Sequence, residues 1–97
     1  MQSRKLSAES IVFYSERDEQ MFFAWLRSIG CVGDVKGVGP TLNITLARSP
    51  NDSELRELIA LFFRYEVDMR QLAAFASEVN RHWFHDTKAF WFQRVFC

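Results

Sequence analysis

The sequence has no excess of charge of either sign and no long apolar run. Twelve basic side chains balance twelve acidic ones, and the balance holds on both sides of Pro50. Proteins that bind nucleic acid normally carry a basic stripe that neutralises phosphates, so the even charge argues against that class. No apolar stretch approaches the roughly 20 residues of a bilayer-spanning helix, and the polar N-terminus lacks the apolar centre of a signal peptide. We therefore expect a cytoplasmic protein that binds neither nucleic acid nor membrane.

Residues with the chemistry of a catalytic or metal site are also scarce. The two cysteines, Cys31 and Cys97, are too few for the disulfide framework of a small secreted fold, and neither position favours an activated thiol. His82 and His85 have the spacing of two metal ligands on a helix but lack a nearby third ligand. The glycines between residues 30 and 39 follow a helix and precede a strand, which is the reverse of a phosphate-binding loop. We expect no metal, no cofactor and no enzymatic activity.

Aromatic side chains are what the sequence does have. Fifteen of the 97 residues are Phe, Trp or Tyr, and several of them crowd into residues 83–97. Hydrophobic residues make up 48% and charged residues 25%, which is typical of a globular domain. This length and composition predict a single domain over residues 1–97, with a flexible segment over residues 1–9.

The first half of the chain alternates strand and helix patterns. The short aromatic and β-branched run 11–14 predicts the first strand. Ser15 is a helix N-cap, and Phe22, Trp25, Leu26 and Ile29 follow on one helical face, with Gly30 ending the helix. The glycine-rich segment 31–38 predicts a bulged or edge strand, paired through Gly39 and Pro40 with a strand over 41–46. In this last strand, Leu42, Ile44 and Leu46 are expected to face the core.

The second half of the chain reads as helices. A central helix is predicted to start near residue 50. Pro50 can occupy its first helical position, and Asn51 with Glu54 has the spacing of a capping box. Val67 and Asp68 predict a bend, with Asp68 and Gln71 capping a third helix that extends to Trp83; one continuous helix over 53–84 is the alternative. In the C-terminal segment, the apolar residues fall on one side of a helix better than on one face of a strand, which predicts a helix capped by Asp86. Phe90 lies on the polar side of this helix. Together these patterns predict an α+β fold, a three-stranded sheet packed against about four helices in the order β-α-β-β-α-α-α.

Five side chains are candidates for binding a partner. Three phenylalanines lie beside or outside the main apolar stripe of their helices, and an exposed phenylalanine is costly unless something covers it. Arginine is a residue type that often dominates protein interfaces. The candidates are Phe23, Phe63, Arg64, Phe90 and Arg94.

Two stretches resemble a known class of proteins. The segments LIALFFRYEVDMRQLAAF (residues 58–75) and WFHDTKAFWFQRVF (residues 83–96) are similar in texture to small single-domain immunity proteins encoded beside bacterial toxins, such as those of contact-dependent inhibition systems. This resemblance implies a non-enzymatic partner that occludes a cognate protein toxin. It assigns no binding residue.

A second hypothesis belongs to a different class. An α+β domain with a cavity lined by Trp25, Phe62, Trp83 and Trp91 would bind a small ligand or act as a regulatory domain, and homo-oligomerisation is open in either case. The sequence alone does not separate these two functions.

Overall fold

The chain folds as a three-stranded antiparallel sheet with helices packed on one face, in a computed structural model that describes residues 5–97. The α+β class and the predicted order of strands and helices are confirmed. The elements are β1 (Lys5–Glu9), α1 (Glu16–Ser28), β2 (Val32–Val38), β3 (Thr41–Leu46), α2 (Asp52–Arg64), a 3-10 helix (Arg70–Phe75), α3 (Arg81–Phe84) and α4 (Phe92–Phe96).

The central strand of the sheet is β3, which pairs with β1 on one side and β2 on the other. As predicted, Ile44 and Leu46 are buried in the core and Leu42 packs against it, whereas Asn43 between them is exposed. The alternation arises because successive side chains of a strand point to opposite faces. The sheet therefore has one face under the helices and one exposed face.

The first strand lies earlier than predicted. Residues 11–14 form no strand, and Val12 and Tyr14 are largely exposed. The strand is β1 instead, within the segment that was expected to be flexible, and its Leu6 and Ala8 are buried between exposed neighbours. Ser10 ends it with a left-handed φ of 50° and donates its N–H to the carbonyl of Pro40 at 2.9 Å. Residues 1–4, also expected to be flexible, lie outside the described residues.

The hairpin of β2 and β3 agrees with the sequence in detail. Gly39 has a φ of +59°, and Gly39 with Pro40 forms the two-residue connection between the strands. A positive φ at the first central position favours glycine and suits the twist of a hairpin. The pairing shifts by one residue between Val32 and Asp34, so that Gly33 is the extra residue of a bulge. The predictions of an edge position and a bulge for this strand are confirmed.

The two long helices begin at side-chain caps that the sequence predicted. Ser15 Oγ accepts the N–H of Asp18 at 3.1 Å and caps α1. Asn51 and Glu54 form a complete capping box at the start of α2, with Asn51 Oδ1 accepting the Glu54 N–H and Glu54 Oε1 accepting the Asn51 N–H. Pro50 therefore lies before the helix and not at its first position. As predicted, α2 is central, with α1 on one side and the C-terminal aromatic residues on another.

The predicted third helix is interrupted. The bend at Val67 is confirmed, with Glu66 at a left-handed φ of 57°, but only a 3-10 helix over 70–75 and the short α3 follow it. Between them, Asn80 Oδ1 accepts the Ser77 N–H at 2.9 Å and Asn80 Nδ2 donates to the Phe75 carbonyl at 2.8 Å. These side-chain bonds replace helical ones, which is why Ser and Asn disfavour helix interiors. Neither a third helix as far as Trp83 nor one helix over 53–84 is therefore correct.

The caps expected for that third helix also differ. Asp68 Oδ1 accepts the N–H of Arg70 at 3.1 Å, so it does satisfy an amide at the start of the 3-10 helix. Gln71 forms no capping box. Its amide Nε2 donates to the carbonyls of Asp68 and Ser7 at 2.7 and 2.8 Å, and its Oε1 accepts the Ser7 N–H at 2.9 Å. Gln71 thus binds the outer edge of β1.

The C-terminal segment is helical, as its pattern indicated, but the helix is short. It covers only Phe92–Phe96, with Val95 buried against the 3-10 helix. Before it, Asp86 holds a turn, accepting the Lys88 N–H on Oδ1 at 2.9 Å and the Ala89 N–H on its carbonyl at 3.0 Å. Asp86 therefore caps this turn and not α4. Among residues 5–97, no helix is long and apolar enough to cross a membrane.

Candidate functional site

Four aromatic rings follow one another along the outer side of α2, and we call them the aromatic row: Trp83, Trp91, Phe90 and Phe63. Their ring centroids are separated by 6.1 Å (Trp83 to Trp91), 5.0 Å (Trp91 to Phe90) and 4.8 Å (Phe90 to Phe63), all in edge-to-face geometry. This is the arrangement that aromatic rings prefer, because the positive edge of one ring meets the negative face of the next. The row connects α2, α3 and the segment before α4.

An arginine lies over the ring at each end of the row. The guanidinium carbon of Arg56 is 4.0 Å from the centroid of Trp83, and that of Arg94 is 4.5 Å from the centroid of Phe63. Both arginines are exposed. Within residues 5–97 the ion pairs involve other arginines, so neither of these two guanidiniums is neutralised by a carboxylate. The row therefore ends in two positive charges that remain available to a partner.

The row is partly open to solvent. Phe90 is 57% exposed, whereas the other three rings are half-buried. Trp91 Nε1 donates to the carbonyl of Phe84 at 2.9 Å, and Phe84 itself is fully buried. Trp83 Nε1 is buried and binds no acceptor among the described residues. Rings that are fixed by packing and hydrogen bonds lose little conformational entropy when a partner binds.

The structure brings three of the five candidate residues together. Phe63 contacts both Phe90 and Arg94, and the exposed Arg64 follows Phe63 at the end of α2. Phe23 lies on α1 in another group of rings.

Arg56, Trp83 and Trp91 belong to the same surface, although the sequence predicted no partner-binding role for them. The two tryptophans are among the residues predicted to line a ligand cavity, and Arg56 is not among the predicted binding residues. Arg56 and Phe63 are seven residues apart, which places them on one face of α2, and this spacing was the available signal.

The second group of rings holds the start of α1 against the end of α2. Phe22 contacts Phe23 at 5.3 Å and Tyr65 at 4.9 Å between centroids, and Phe13 packs on all three rings. The Tyr65 hydroxyl donates to Asp18 Oδ1 at 3.0 Å, and burial together with this carboxylate raises the pKa of Tyr65. Asp18 Oδ2 also accepts the Tyr14 N–H at 2.9 Å. The Asp18 carboxylate therefore has structural partners on both of its oxygens.

Among the side chains capable of metal or thiol chemistry, His85 and Cys31 have structural surroundings in the described residues. His82 is exposed, and His85 packs on the rings of Phe92 and Phe96. In the part of the chain that the structure describes, no three His, Cys, Asp or Glu side chains come together as a metal site. Cys31 is buried, and loss of solvation raises the pKa of its thiol, with Glu54 acting in the same direction.

The four residues proposed to line a ligand cavity are distributed over different environments. Phe62 is fully buried in the core, and Trp25 Nε1 donates to Glu57 Oε1 at 2.9 Å on the α1 side of α2. Trp83 and Trp91 belong to the aromatic row. An open groove of about 690 Å³ lies elsewhere, between the start of α2 and residues 75–80. The Asn51 and Glu54 capping box occupies the helix amides beside this groove.

Comparison with known proteins adds no assignment to this surface. The chain matches no protein-family model, no curated protein and no solved structure.

Proposed function

We propose that this protein is a non-enzymatic binding module, an immunity protein that neutralises a cognate protein toxin by covering it stoichiometrically in the cytoplasm. The observation that carries this proposal is the aromatic row with an exposed arginine at each end that forms no ion pair within residues 5–97. The resemblance of residues 58–75 and 83–96 to immunity proteins supports the same function, since the two segments supply Phe63 and the rest of the row.

The chemistry of the row suits a protein partner. Trp and Arg are enriched among residues that dominate binding free energy, and such residues work best where neighbouring contacts exclude water. Phe90 supplies the apolar surface that a partner would cover, and the half-buried tryptophans beside it are fixed by the core. Occlusion of a toxin needs no reactive group, only a preformed surface.

The arginines at the ends of the row indicate which side chains the partner should have. Arg56 and Arg94 are planar donors that pair with carboxylates through two hydrogen bonds at once. Arg64 adds a third exposed guanidinium next to Phe63. We therefore expect the toxin surface to combine an apolar pocket for Phe90 with Asp or Glu side chains on its rim.

The test is co-expression with the product of the neighbouring gene. The proposal predicts that this chain restores growth to cells that produce the toxin and that the two proteins co-elute. Phe90→Ala should weaken binding by about 2 kcal/mol, or roughly 30-fold, as typical for a central interface residue. Because Phe90 is mostly exposed, the melting temperature of the Phe90→Ala variant should be close to that of the wild type. Absence of both rescue and co-elution would remove the proposal.

Matched variants separate the row from other exposed residues. Tyr14→Ala removes an aromatic ring that is 88% exposed but outside the row, and Arg27→Ala removes an arginine stacked on Phe23 at 5.3 Å. Both should bind the toxin like the wild type, whereas Arg94→Ala should bind more weakly and with a smaller dependence on salt. Equal losses for Tyr14→Ala and Phe90→Ala would contradict the assignment of the binding surface to the row.

A further inference from the structure

The two edges of the sheet differ in whether their backbone groups are satisfied. At the β1 edge, the side-chain amide of Gln71 binds both the N–H and the carbonyl of Ser7, as a neighbouring strand would. At the β2 edge there is no such cover: within residues 5–97, no hydrogen bond joins the outer backbone groups of Val32–Val38 to another element beyond the turn at Ile29. An uncovered strand edge is a template for pairing with another chain.

The register identifies which backbone groups of β2 point away from the sheet. Ser7 is opposite Asn43, and the backbone of Ser7 points outward to Gln71, so Asn43 must direct its own backbone to β2. Its partner there is Lys36. The backbone groups of Lys36 therefore point inward to β3. Because the direction of the backbone groups alternates from residue to residue along a strand, Val35 and Gly37 direct their N–H and carbonyl groups away from the sheet.

The side chains of β2 favour a second copy of the same strand as the occupant. We propose that β2 pairs with β2 of another copy of this chain, antiparallel about a twofold axis at Val35, which makes one continuous six-stranded sheet. In that register Val35 faces its own equivalent, and the two residues exchange both backbone hydrogen bonds. Asp34 of each chain then lies opposite Lys36 of the other.

Charge selects this register over its neighbours. Asp34 and Lys36 are both exposed on the open face of the sheet, and in the proposed register they form two opposite-charge pairs at a non-hydrogen-bonded position, where facing side chains are closest. An axis shifted to Lys36 would place like charges opposite each other. A lysine by itself discourages edge pairing, but the aspartate two residues before it makes this edge complementary to itself.

Gly37 of β2 supports the same arrangement. A Cβ at Gly37 would meet nothing within 4 Å, and its φ is not in the left-handed region, so the fold of the single chain does not require glycine there. Glycine within a strand often marks a place where another backbone approaches closely. In the proposed register, Gly37 faces Gly33 of the second copy.

The experiment is sedimentation velocity of the whole chain over a series of concentrations. We expect a shift from the monomer mass of 11.4 kDa towards twice that mass as concentration rises. Asp34→Lys and Lys36→Asp each create two like-charge pairs and should raise the dimer dissociation constant by about tenfold or more. The double variant Asp34→Lys/Lys36→Asp restores opposite charges and should restore dimerisation. Glu9→Lys, a reversal on β1, is the matched control and should dimerise like the wild type.

Hydrogen exchange locates the contact. The amides of Val35 and Gly37 should exchange slowly at concentrations where the dimer forms and rapidly in the Asp34→Lys variant. A monomer at every concentration overturns the proposal. A dimer that leaves these two amides exchanging rapidly also overturns it, as does one that is insensitive to the single reversals or not restored by the double reversal. None of these outcomes depends on toxin binding.

Discussion

Replacing Glu54 tests how strongly the link between β3 and α2 stabilises the fold. The Glu54 side chain is only 11% exposed. Its Oε1 and Oε2 accept from Nη1 and Nη2 of Arg48, which follows β3, both at 2.6 Å. Oε1 also accepts the N–H of Asn51 and completes the capping box. Glu54→Ala removes all these bonds, whereas Glu54→Gln keeps an oxygen for the Asn51 N–H and removes the charge.

The expected loss is a large part of the stability of a small domain. Loss of the bond to the Asn51 N–H costs about 0.5–1.5 kcal/mol, because Asn51 Oδ1 still accepts the backbone N–H of residue 54 and caps the helix. Loss of the charge-assisted hydrogen bonds to a mostly buried carboxylate costs about 1.5–3 kcal/mol. Glu54→Ala should therefore lower the free energy of unfolding by about 2–4 kcal/mol, out of roughly 5–15 for a domain of this kind. The melting temperature should fall by about 10–25 °C. Glu54→Gln should show roughly half of this effect.

The contribution of Glu54 depends on pH in a defined direction. The hydrogen bonds from Arg48 hold the pKa of the Glu54 carboxyl below its usual value, and the Asn51 N–H acts in the same direction. The carboxyl therefore binds its proton more weakly in the folded state than in the unfolded state. Its stabilisation is complete above the unfolded pKa of about 4.3 and is lost as pH falls through the lower folded value.

Urea unfolding of the wild type and the variants, followed by tryptophan fluorescence at neutral and acid pH, measures both effects. Glu78→Gln removes an exposed carboxyl and is the control, with an expected change below about 0.5 kcal/mol. The difference between wild type and Glu54→Gln should be largest at neutral pH and shrink below about pH 4. A difference equal at both pH values, or no larger than that of Glu78→Gln, would refute the reasoning.

Two further predictions concern the edge of β1 and the support of the aromatic row. Gln71→Met keeps the side-chain length but removes both bonds to Ser7, so the Ser7 amide should exchange faster and the free energy of unfolding should fall by about 1 kcal/mol; unchanged exchange would contradict this. Phe84→Ala should cost about 3–5 kcal/mol in urea unfolding because the ring is fully buried, whereas Phe90→Ala should cost less than about 1. Equal costs would show that the two rings are not buried as described.

The elements predicted correctly are those with local signals. Ser15 and the Asn51–Glu54 pair cap helices through bonds that span only three residues, and the alternation of β3 lies within six residues. β1 has only Leu6 and Ala8 as apolar residues, and alanine is a poor strand former. β1 forms a strand because it pairs with β3, which lies more than 30 residues further along the chain. A pattern read over a few neighbouring residues does not contain that pairing.

The aromatic row was only partly predictable for a related reason. Phe63 and Phe90 were candidates because they lie beside or outside the apolar stripe of their helices, and Arg94 because arginine often dominates interfaces. The contact of Arg56 with Trp83 arises because Ser77 and Asn80 break the third helix and return the chain along α2. The apolar spacing predicts an uninterrupted third helix from Asp68 to Trp83, and the break within it depends on the hydrogen bonds of Asn80.

The strand order has a consequence for how the chain reaches its folded state. The partners β2 and β3 are adjacent in sequence, so they can associate after closing a loop of two residues, whereas Lys5 must find Thr45 across an intervening helix and hairpin. Loop-closure entropy makes the longer step slower and later. During synthesis on the ribosome, the segment that becomes β1 emerges first yet must wait for its partner. Until β1 pairs, the side of β3 that faces away from β2 is an open strand edge on which the newly made chain can aggregate.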